Sequence, residues 1–163
     1  MLGGSVMLTI AVIIYQRFMK EWETRTIVTL TIFLMALNAL SSLALTLRWN
    51  IALGISDITF TIFTSTTFFP MVMAFYIIPP FVLIAKITPA HVEATIFSFA
   101  ASLINAGIHF LGKYMGLAWN KAFFGISTEN LEDLWKLCLL EMCCALLCLA
   151  YIPLLPTWDE VRD

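Results

Sequence analysis

Polar side chains recur at regular intervals within one otherwise apolar segment in the second half of the chain. They follow one another at spacings of three and four residues: Thr95, Ser98, Ser102, Asn105 and His109. At about 100° per residue, this spacing places all of them along one side of an α-helix. Polar groups in an apolar environment cost free energy unless they are paired, so this polar stripe must face either protein or a water-filled cavity.

Two interpretations of the polar stripe follow from its residue types. In the first, it is the wall of a cavity that binds a polar solute through hydroxyl, amide and imidazole groups, and the candidates are Ser98, Ser102, Asn105 and His109. In the second, it holds helices together, because Ser, Thr and Asn are common in contacts between membrane helices. His109 can change charge near neutral pH, so it is either a proton-coupling site or a hydrogen-bonded neutral histidine.

Other patterns that carry chemistry are weak or missing from the sequence. The four cysteines lie close together in one apolar segment with no histidine nearby, which argues against a metal site. The sequence has no glycine-rich phosphate loop, no H-E-x-x-H and no G-x-S-x-G. It therefore predicts no enzyme, no bound metal and no cofactor.

The composition indicates which solvent surrounds the chain. Of its 163 residues, 61% are hydrophobic and only 12% are charged, which is about half the charged fraction of a soluble domain. Nine Lys and Arg with eleven Asp and Glu are too few to cover a surface that faces water. A soluble domain, a disordered chain and a nucleic-acid partner are therefore excluded, and the lipid bilayer is the predicted surrounding.

Charged residues divide the chain into apolar stretches of about the length that a membrane helix needs. A helix requires about 20 apolar residues to cross the hydrocarbon of a bilayer. Five predicted spans cover residues 2–19, 26–47, 58–86, 92–118 and 134–156, and a short cytoplasmic tail follows at 157–163. The predicted fold is therefore all-α: a polytopic membrane helix bundle, integral to a membrane and multi-pass.

The third span is too long for a straight crossing and contains Pro70, Pro79 and Pro80. One interpretation is a single kinked helix, because membrane helices tolerate proline where neighbours satisfy the freed carbonyls. The alternative is a span that ends near Ile78, followed by a short interfacial helix.

Individual charged and capping residues have predicted structural roles at the span ends. Asp57 and Thr88 are typical start signals for the third and fourth spans. Glu93 would then lie near the positive end of the fourth helix dipole. Glu141, about one turn inside the fifth span, is predicted to snorkel and pair with a nearby lysine, or to be protonated.

Tryptophan and basic residues indicate the edges and the orientation of the spans. All five tryptophans lie at or just beyond a span end, where the indole prefers the headgroup level: Trp22, Trp49, Trp119, Trp135 and Trp158.

Arg17, Lys20 and Arg25 cluster in the first loop, whereas Arg48 is alone in the second. Because basic loops stay in the cytoplasm, we expect the N-terminus outside and the C-terminus inside. An odd number of spans in this orientation is unusual for a complete transporter, so we expect the chain to be a piece of a larger protein.

One stretch combines prolines, a lysine and a Val-Glu-Ala-Thr block in a fixed order. It runs from Pro79 to Phe97 as P-P-F-V-L-I-A-K-I-T-P-A-H-V-E-A-T-I-F, and Asn105-Ala106-Gly107 follows. This stretch resembles the pattern P-x-x-V-L-x-A-K-x-x-P-x-x-V-E-A-T-x-F, with a later Asn-x-Gly, of the folate–biopterin transporter family, a branch of the major facilitator superfamily. The block from Val92 to Thr95 is the most specific part of the resemblance. The family-motif positions in this chain are Pro89, Val92, Glu93, Ala94, Thr95, Asn105 and Gly107. His91 departs from the family, which usually has a small residue there, often Gly.

The resemblance implies both a fold and a function. The spans would be the last five of a twelve-helix major facilitator fold, so 1–163 would be a partial C-terminal transmembrane domain whose partner is the missing N-terminal half. The fourth span would border the central cavity, which favours the cavity interpretation of the polar stripe. The implied function is alternating-access transport of a folate or pterin solute, coupled to protons. Ser102, Asn105 and His109 would then bond the pterin edge or a carboxylate.

Alternatives in other functional classes stay open. The segment could belong to a major facilitator transporter of another solute, because fold does not fix the substrate. It could also be a truncated, non-transporting membrane subunit, or more remotely a membrane enzyme. Neither the plasma membrane nor an organelle membrane is favoured.

Overall fold

The computed structural model describes residues 2–89 and 91–157, and every regular element in these ranges is helical. The helices are labelled in chain order as α1 (Leu2–Ile14, continued by a π-helical segment at Tyr15–Met19), α2 (Thr24–Thr46), α3 (Trp49–Ala52), α4 (Asp57–Ile87), α5 (Glu93–Phe124) and α6 (Leu134–Leu154). The predicted tail after Thr157, including Trp158, lies outside the described residues.

Most of these helices have the length and composition of membrane spans. In the described part of the chain, α2, α4, α5 and α6 are long and apolar enough to cross a membrane, and the apolar helix Gly3–Met19 is shorter. The prediction of an all-α polytopic helix bundle is confirmed. At 32 residues, α5 continues past the predicted end of its span and is longer than a bilayer requires.

The helix α4 is continuous through its prolines and does not end at Ile78. Pro79 has no N–H to donate to the carbonyl of Phe75, one helical turn earlier. The buried Thr31 hydroxyl of α2 lies 3.1 Å from that carbonyl and 2.9 Å from the Ile27 carbonyl of its own helix, so it shares its one proton between the two. A side chain of the neighbouring helix therefore replaces part of the lost backbone hydrogen bond.

The buried core lies where α1, α2 and α4 meet. Its cluster of buried residues consists of Ala11, Tyr15, Met19, Ile27, Ala74 and Phe75. The start of α1 approaches α4 closely, and a Cβ at Gly3 would lie 2.6 Å from the methyl carbon of Thr66. This close approach therefore requires glycine at position 3.

The helices α2 and α6 lie side by side and run antiparallel. At one end of the pair, the Arg25 guanidinium donates through Nε to the carbonyl of Leu155 at 2.8 Å and also bonds the carbonyl of Pro153. At the other end, the Thr46 hydroxyl lies 3.8 Å from the Sγ atom of Cys138. Polar contacts therefore fix the register of this pair at both ends.

The prediction that Thr88 starts the fourth span is wrong, because Thr88 closes α4. Its hydroxyl donates to the carbonyl of Ile84 at 2.6 Å, and its backbone is extended before Pro89, as expected for a residue that precedes proline. His91 then has a left-handed backbone with φ 78°, which interrupts the helical path. The helix α5 begins only at Glu93.

Candidate functional site

The helix α5, which carries the polar stripe, stands at the side of the bundle. It approaches the other helices at its two ends, near the end of α4 and the start of α6. At the first of these ends the rings of Phe97 and Phe81 are parallel, with centroids 6.1 Å apart. All residues of α5 are exposed or half-buried. The helix is therefore held loosely by the described part of the chain.

The two sides of α5 differ in composition and in burial. The half-buried residues in its first half are all apolar: Ile96, Phe97, Ala100, Ala101, Ile104 and Ile108. The members of the polar stripe are all exposed, Thr95, Ser98, Ser102, Asn105 and His109, and so are the large apolar residues Phe99, Leu103 and Phe110. The polar stripe therefore faces away from the helices of the described residues, and it does not join α5 to them.

The polar groups of the stripe are free to bind something else. Ser98 and Ser102 donate their hydroxyl protons to carbonyls one turn earlier, at 2.7 and 2.8 Å, so only their lone pairs stay available. The side chains of Thr95, Asn105 and His109 make no hydrogen bond with any described residue. The stripe therefore presents an amide and an imidazole next to hydroxyl oxygens.

His109 lies in a π-helical segment, Ala106–Gly112, which the sequence pattern did not predict. A π turn contains more residues than an α turn, so the assumed 100° per residue does not hold beyond Asn105. A Cβ at Gly112 would lie 3.3 Å from the carbonyl oxygen of Gly107. The glycines at both positions are the sequence signal for this segment, and π-helical segments are frequent at functional sites.

The remaining motif positions surround the start of α5. Pro89 precedes the left-handed turn, and Val92 is the residue before the helix, without a side-chain cap. Glu93 is the first helical residue and is exposed. Its negative charge interacts favourably with the positive end of the helix dipole. Ala94 follows on the exposed surface, and Gly107 has open space around it.

Asp57 organises a separate polar cluster in the turn between α2 and α4. It is the first residue of α4, while Ser56 caps the helix by accepting from the Thr59 amide. The Asp57 carboxylate pairs with Arg48 at 2.9 Å and accepts from the Asn50 amide at 2.6 Å. Asn50 lies in the short helix α3 and is 1% exposed, and sequence reasoning missed its role because its burial depends on how the turn before α4 folds. This cluster shapes the turn and lies apart from the polar stripe.

The described residues hold no group of three or more His, Cys, Asp or Glu side chains arranged to bind a metal ion. Cys143, Cys144 and Cys148 are exposed free thiols, and Cys138 is a buried one. The polar stripe offers neutral polar groups and one imidazole.

Comparison with known proteins assigns the chain to a family. The BT1 family matches residues 1–163. This chain belongs to the BT1 family. The resemblance carried by the stretch from Pro79 to Phe97 is thereby confirmed, and the BT1 chain is an integral, multi-pass membrane protein.

Relatives of the BT1 chain are named as transporters rather than enzymes. The chain is 26% identical to probable folate-biopterin transporter 6 of Arabidopsis thaliana over 164 residues, which cover 98% of this chain and 31% of that protein. It is 30% identical to the folate-biopterin transporter of Synechocystis sp. over 161 residues, which cover 98% of this chain and 32% of the relative. The chain therefore spans less than a third of the length of these relatives. No solved structure matches it.

Proposed function

We propose that the BT1 chain is part of a secondary transporter that moves folate-type or pterin-type solutes across a membrane by alternating access, coupled to protons. The names of its relatives support the solute class. The polar stripe of α5 is proposed to form one wall of the solute path. The rest of the path would come from the portion of the relatives that this chain does not match.

The orientation of the polar stripe carries this proposal. Five polar side chains are exposed on the side of a membrane-length helix that faces away from the described helices. In hydrocarbon such a surface is costly, so it needs either protein or water opposite it. A water-filled path between two halves of a transporter supplies both, because solutes bind in such proteins near the midplane between the halves.

The residue types suit a folate or a pterin. The Asn105 amide can donate and accept hydrogen bonds at the edge of a pterin ring. Ser102 supplies a hydroxyl oxygen one turn earlier, and both residues are exposed on the same face. His109 is proposed to carry the coupled proton, and in its charged form it would attract the carboxylates of a folate.

Tracer folate uptake by a chimera tests this proposal. The chimera joins the unmatched portion of the Synechocystis folate-biopterin transporter to the BT1 chain, in cells that lack other folate uptake. We expect uptake by the parent chimera and a loss of about tenfold or more in Asn105→Ala, because a hydrogen bond to the solute is removed. His109→Ala is expected to lose the dependence of uptake on external pH.

The other histidine of the chain supplies the matched control. His91 lies in the exposed linker before α5, away from the polar stripe. We expect His91→Gly to transport normally and to keep the pH dependence. Unchanged uptake by Asn105→Ala and His109→Ala at normal expression would show that the polar stripe is not the solute path. Transport of another solute class, with no folate uptake, would overturn the proposed substrate.

A further inference from the structure

A partly polar cavity, open on one side, lies between α2 and α4, away from the polar stripe of α5. Its volume is about 270 Å³, and its lining consists of Asn38, Ser41, Ser42, Thr64, Ser65 and Phe69. Both helices are long and apolar enough to cross a membrane. All lining residues except Phe69 are polar, so this α2–α4 cavity interrupts two otherwise apolar helices.

The hydroxyls that line the α2–α4 cavity present oxygen lone pairs. Each donates its proton to a backbone carbonyl of its own helix at 2.5 to 3.4 Å, and the donors are Ser41, Ser42, Thr64 and Ser65. A hydroxyl has one proton and two lone pairs, so these groups can act only as acceptors toward the cavity. An acceptor lining favours a cation over an anion.

Asn38 adds an uncommitted amide to the same cavity. It is half-buried, and its side chain makes no hydrogen bond with any described residue. Its carbonyl oxygen is a further neutral ligand of the kind that hard cations prefer. On the opposite wall, Thr64 and Ser65 belong to a π-helical segment of α4, Phe63–Phe68. Coupling ions in transporters are often held by hydroxyls and carbonyls where a helix departs from regular geometry.

Glu141 of α6 lies at about the height of the α2–α4 cavity, but it is exposed and does not line the cavity. The contacts of Arg25 with Leu155 and of Thr46 with Cys138 fix α2 and α6 in antiparallel register. Glu141 lies about one turn inside α6 from Cys138, and Ser42 lies one turn inside α2 from Thr46, so the two are level. Glu141 has no hydrogen-bond or ion-pair partner among the described residues. Glu141 therefore supplies no ligand to the cavity, and the oxygens that line the cavity are all neutral.

We propose that the α2–α4 cavity binds a partly hydrated sodium ion through its hydroxyl and amide oxygens. Sodium is a hard cation and takes the hydroxyl and amide oxygens that the cavity offers. The volume exceeds that of a bare ion, and one water occupies about 30 Å³ of liquid, so several waters complete the coordination. This site goes beyond the proposed transport of folates, because the ion can bind when no solute is present.

Sodium binding by the purified chain in lipid nanodiscs tests the proposal directly. Binding of radioactive sodium is measured, together with thermal unfolding followed by tryptophan fluorescence in sodium, potassium and choline chloride at equal ionic strength. We expect sodium to raise the unfolding temperature above that in choline, because an ion that binds only the folded state stabilises it. Asn38→Ala is expected to bind sodium about tenfold or more weakly, since it removes a ligand oxygen.

A threonine of the same helix supplies the matched control. The Thr29 hydroxyl also donates to a carbonyl one turn earlier, at 2.7 Å, but it does not line the α2–α4 cavity. Thr29→Ala is expected to bind sodium as the parent does. If Asn38→Ala shows no cooperative unfolding in choline, Ser42→Ala removes one ligand oxygen with less disturbance and is expected to weaken binding in the same direction.

Several results would overturn the proposal. Equal unfolding temperatures in sodium and choline would mean that no sodium binds. Equal stabilisation by sodium and potassium would refute the choice of ion. Unchanged binding in Asn38→Ala and Ser42→Ala would refute the location. Since no outcome depends on folate uptake, failure here and failure of the transport proposal are distinguishable.

Discussion

The Thr31 hydroxyl of α2 and the Phe75 carbonyl of α4 form one of the few buried polar contacts between helices in the described residues. The contact exists because Pro79 removes the N–H that would otherwise bond this carbonyl. In water a freed carbonyl finds a solvent partner, whereas in hydrocarbon it does not. The threonine therefore makes the proline tolerable at this position.

Thr31→Val is expected to lower the free energy of unfolding by about 1–2 kcal/mol, because it leaves the buried Phe75 carbonyl without a donor while keeping the side-chain shape. The measurement is reversible unfolding in mixed detergent. Thr29→Val is the control, since the Thr29 hydroxyl donates only within its own helix. Equal losses in the two variants would show that the contact between the helices adds nothing.

His91 has a left-handed backbone at φ 78°, a conformation that side chains other than glycine adopt at a cost. The family resemblance places a small residue, often Gly, at this position. We expect His91→Gly to raise the free energy of unfolding by about 0.5–1 kcal/mol. The substitution relieves the backbone strain, and the greater freedom of glycine in the unfolded chain offsets part of that gain. His91→Ala keeps the strain, so a gain of the same size in that variant would contradict this explanation.

At the scale of residues, sequence reasoning succeeded where the signal was local. The spacing from Thr95 to His109 predicted a polar stripe on one helix face, and these side chains are exposed together. The bond from Thr31 to Phe75 joins residues 44 positions apart, so no local pattern could indicate it. The role of Asn50 was missed for a related reason, because its burial depends on how the whole turn before α4 is folded.

At the scale of elements, the pair of α2 and α6 is held at its two ends by different chemistry. The Arg25 side chain bonds the last carbonyls of α6, which have no partners within their own helix. The positive charge of Arg25 also interacts favourably with the negative end of the α6 dipole. The start of α2 and the end of α6 are thereby tied together.

Arg25→Gln is expected to cost about 1–3 kcal/mol of unfolding free energy, because the final carbonyls of α6 lose a charged donor. Hydrogen exchange should show faster opening of the last turn of α6, while the start of the same helix stays protected. Arg17→Gln is the control, because Arg17 is an exposed residue without an ion pair among the described side chains. Equal exchange in the two variants would argue against the end contact.

The positions of the helices follow from the distribution of charges, which predicted where each apolar stretch begins and ends. The details that failed depend on backbone geometry that apolar periodicity does not encode. Thr88 and Pro89 carry a typical start signal, yet the left-handed turn at His91 delays α5 to Glu93. The π-helical segments of α4 and α5 are likewise features of backbone geometry that hydropathy does not encode.

At the scale of the whole molecule, the polar side of α5 faces away from the other described helices, and the chain spans less than a third of its relatives. The chimera described above is first made free of native cysteines. In that background, Ser102→Cys on the exposed polar side is expected to react with a membrane-impermeant maleimide. Ile104→Cys on the half-buried apolar side is expected to stay unlabelled. Labelling of Ile104→Cys alone would mean that the two sides of α5 are assigned the wrong way round.

The bond between Thr31 and Phe75 also constrains the order in which the protein can be built. Chains are made from the N-terminus, so α2 leaves the ribosome before α4. The Thr31 hydroxyl is therefore already in the membrane when α4 arrives with its prolines and the freed Phe75 carbonyl. A rearranged gene that encodes α4 before α2 would deliver Phe75 to the bilayer with its carbonyl unsatisfied, and we expect such a circular permutant to insert poorly even though its final contacts would be the same.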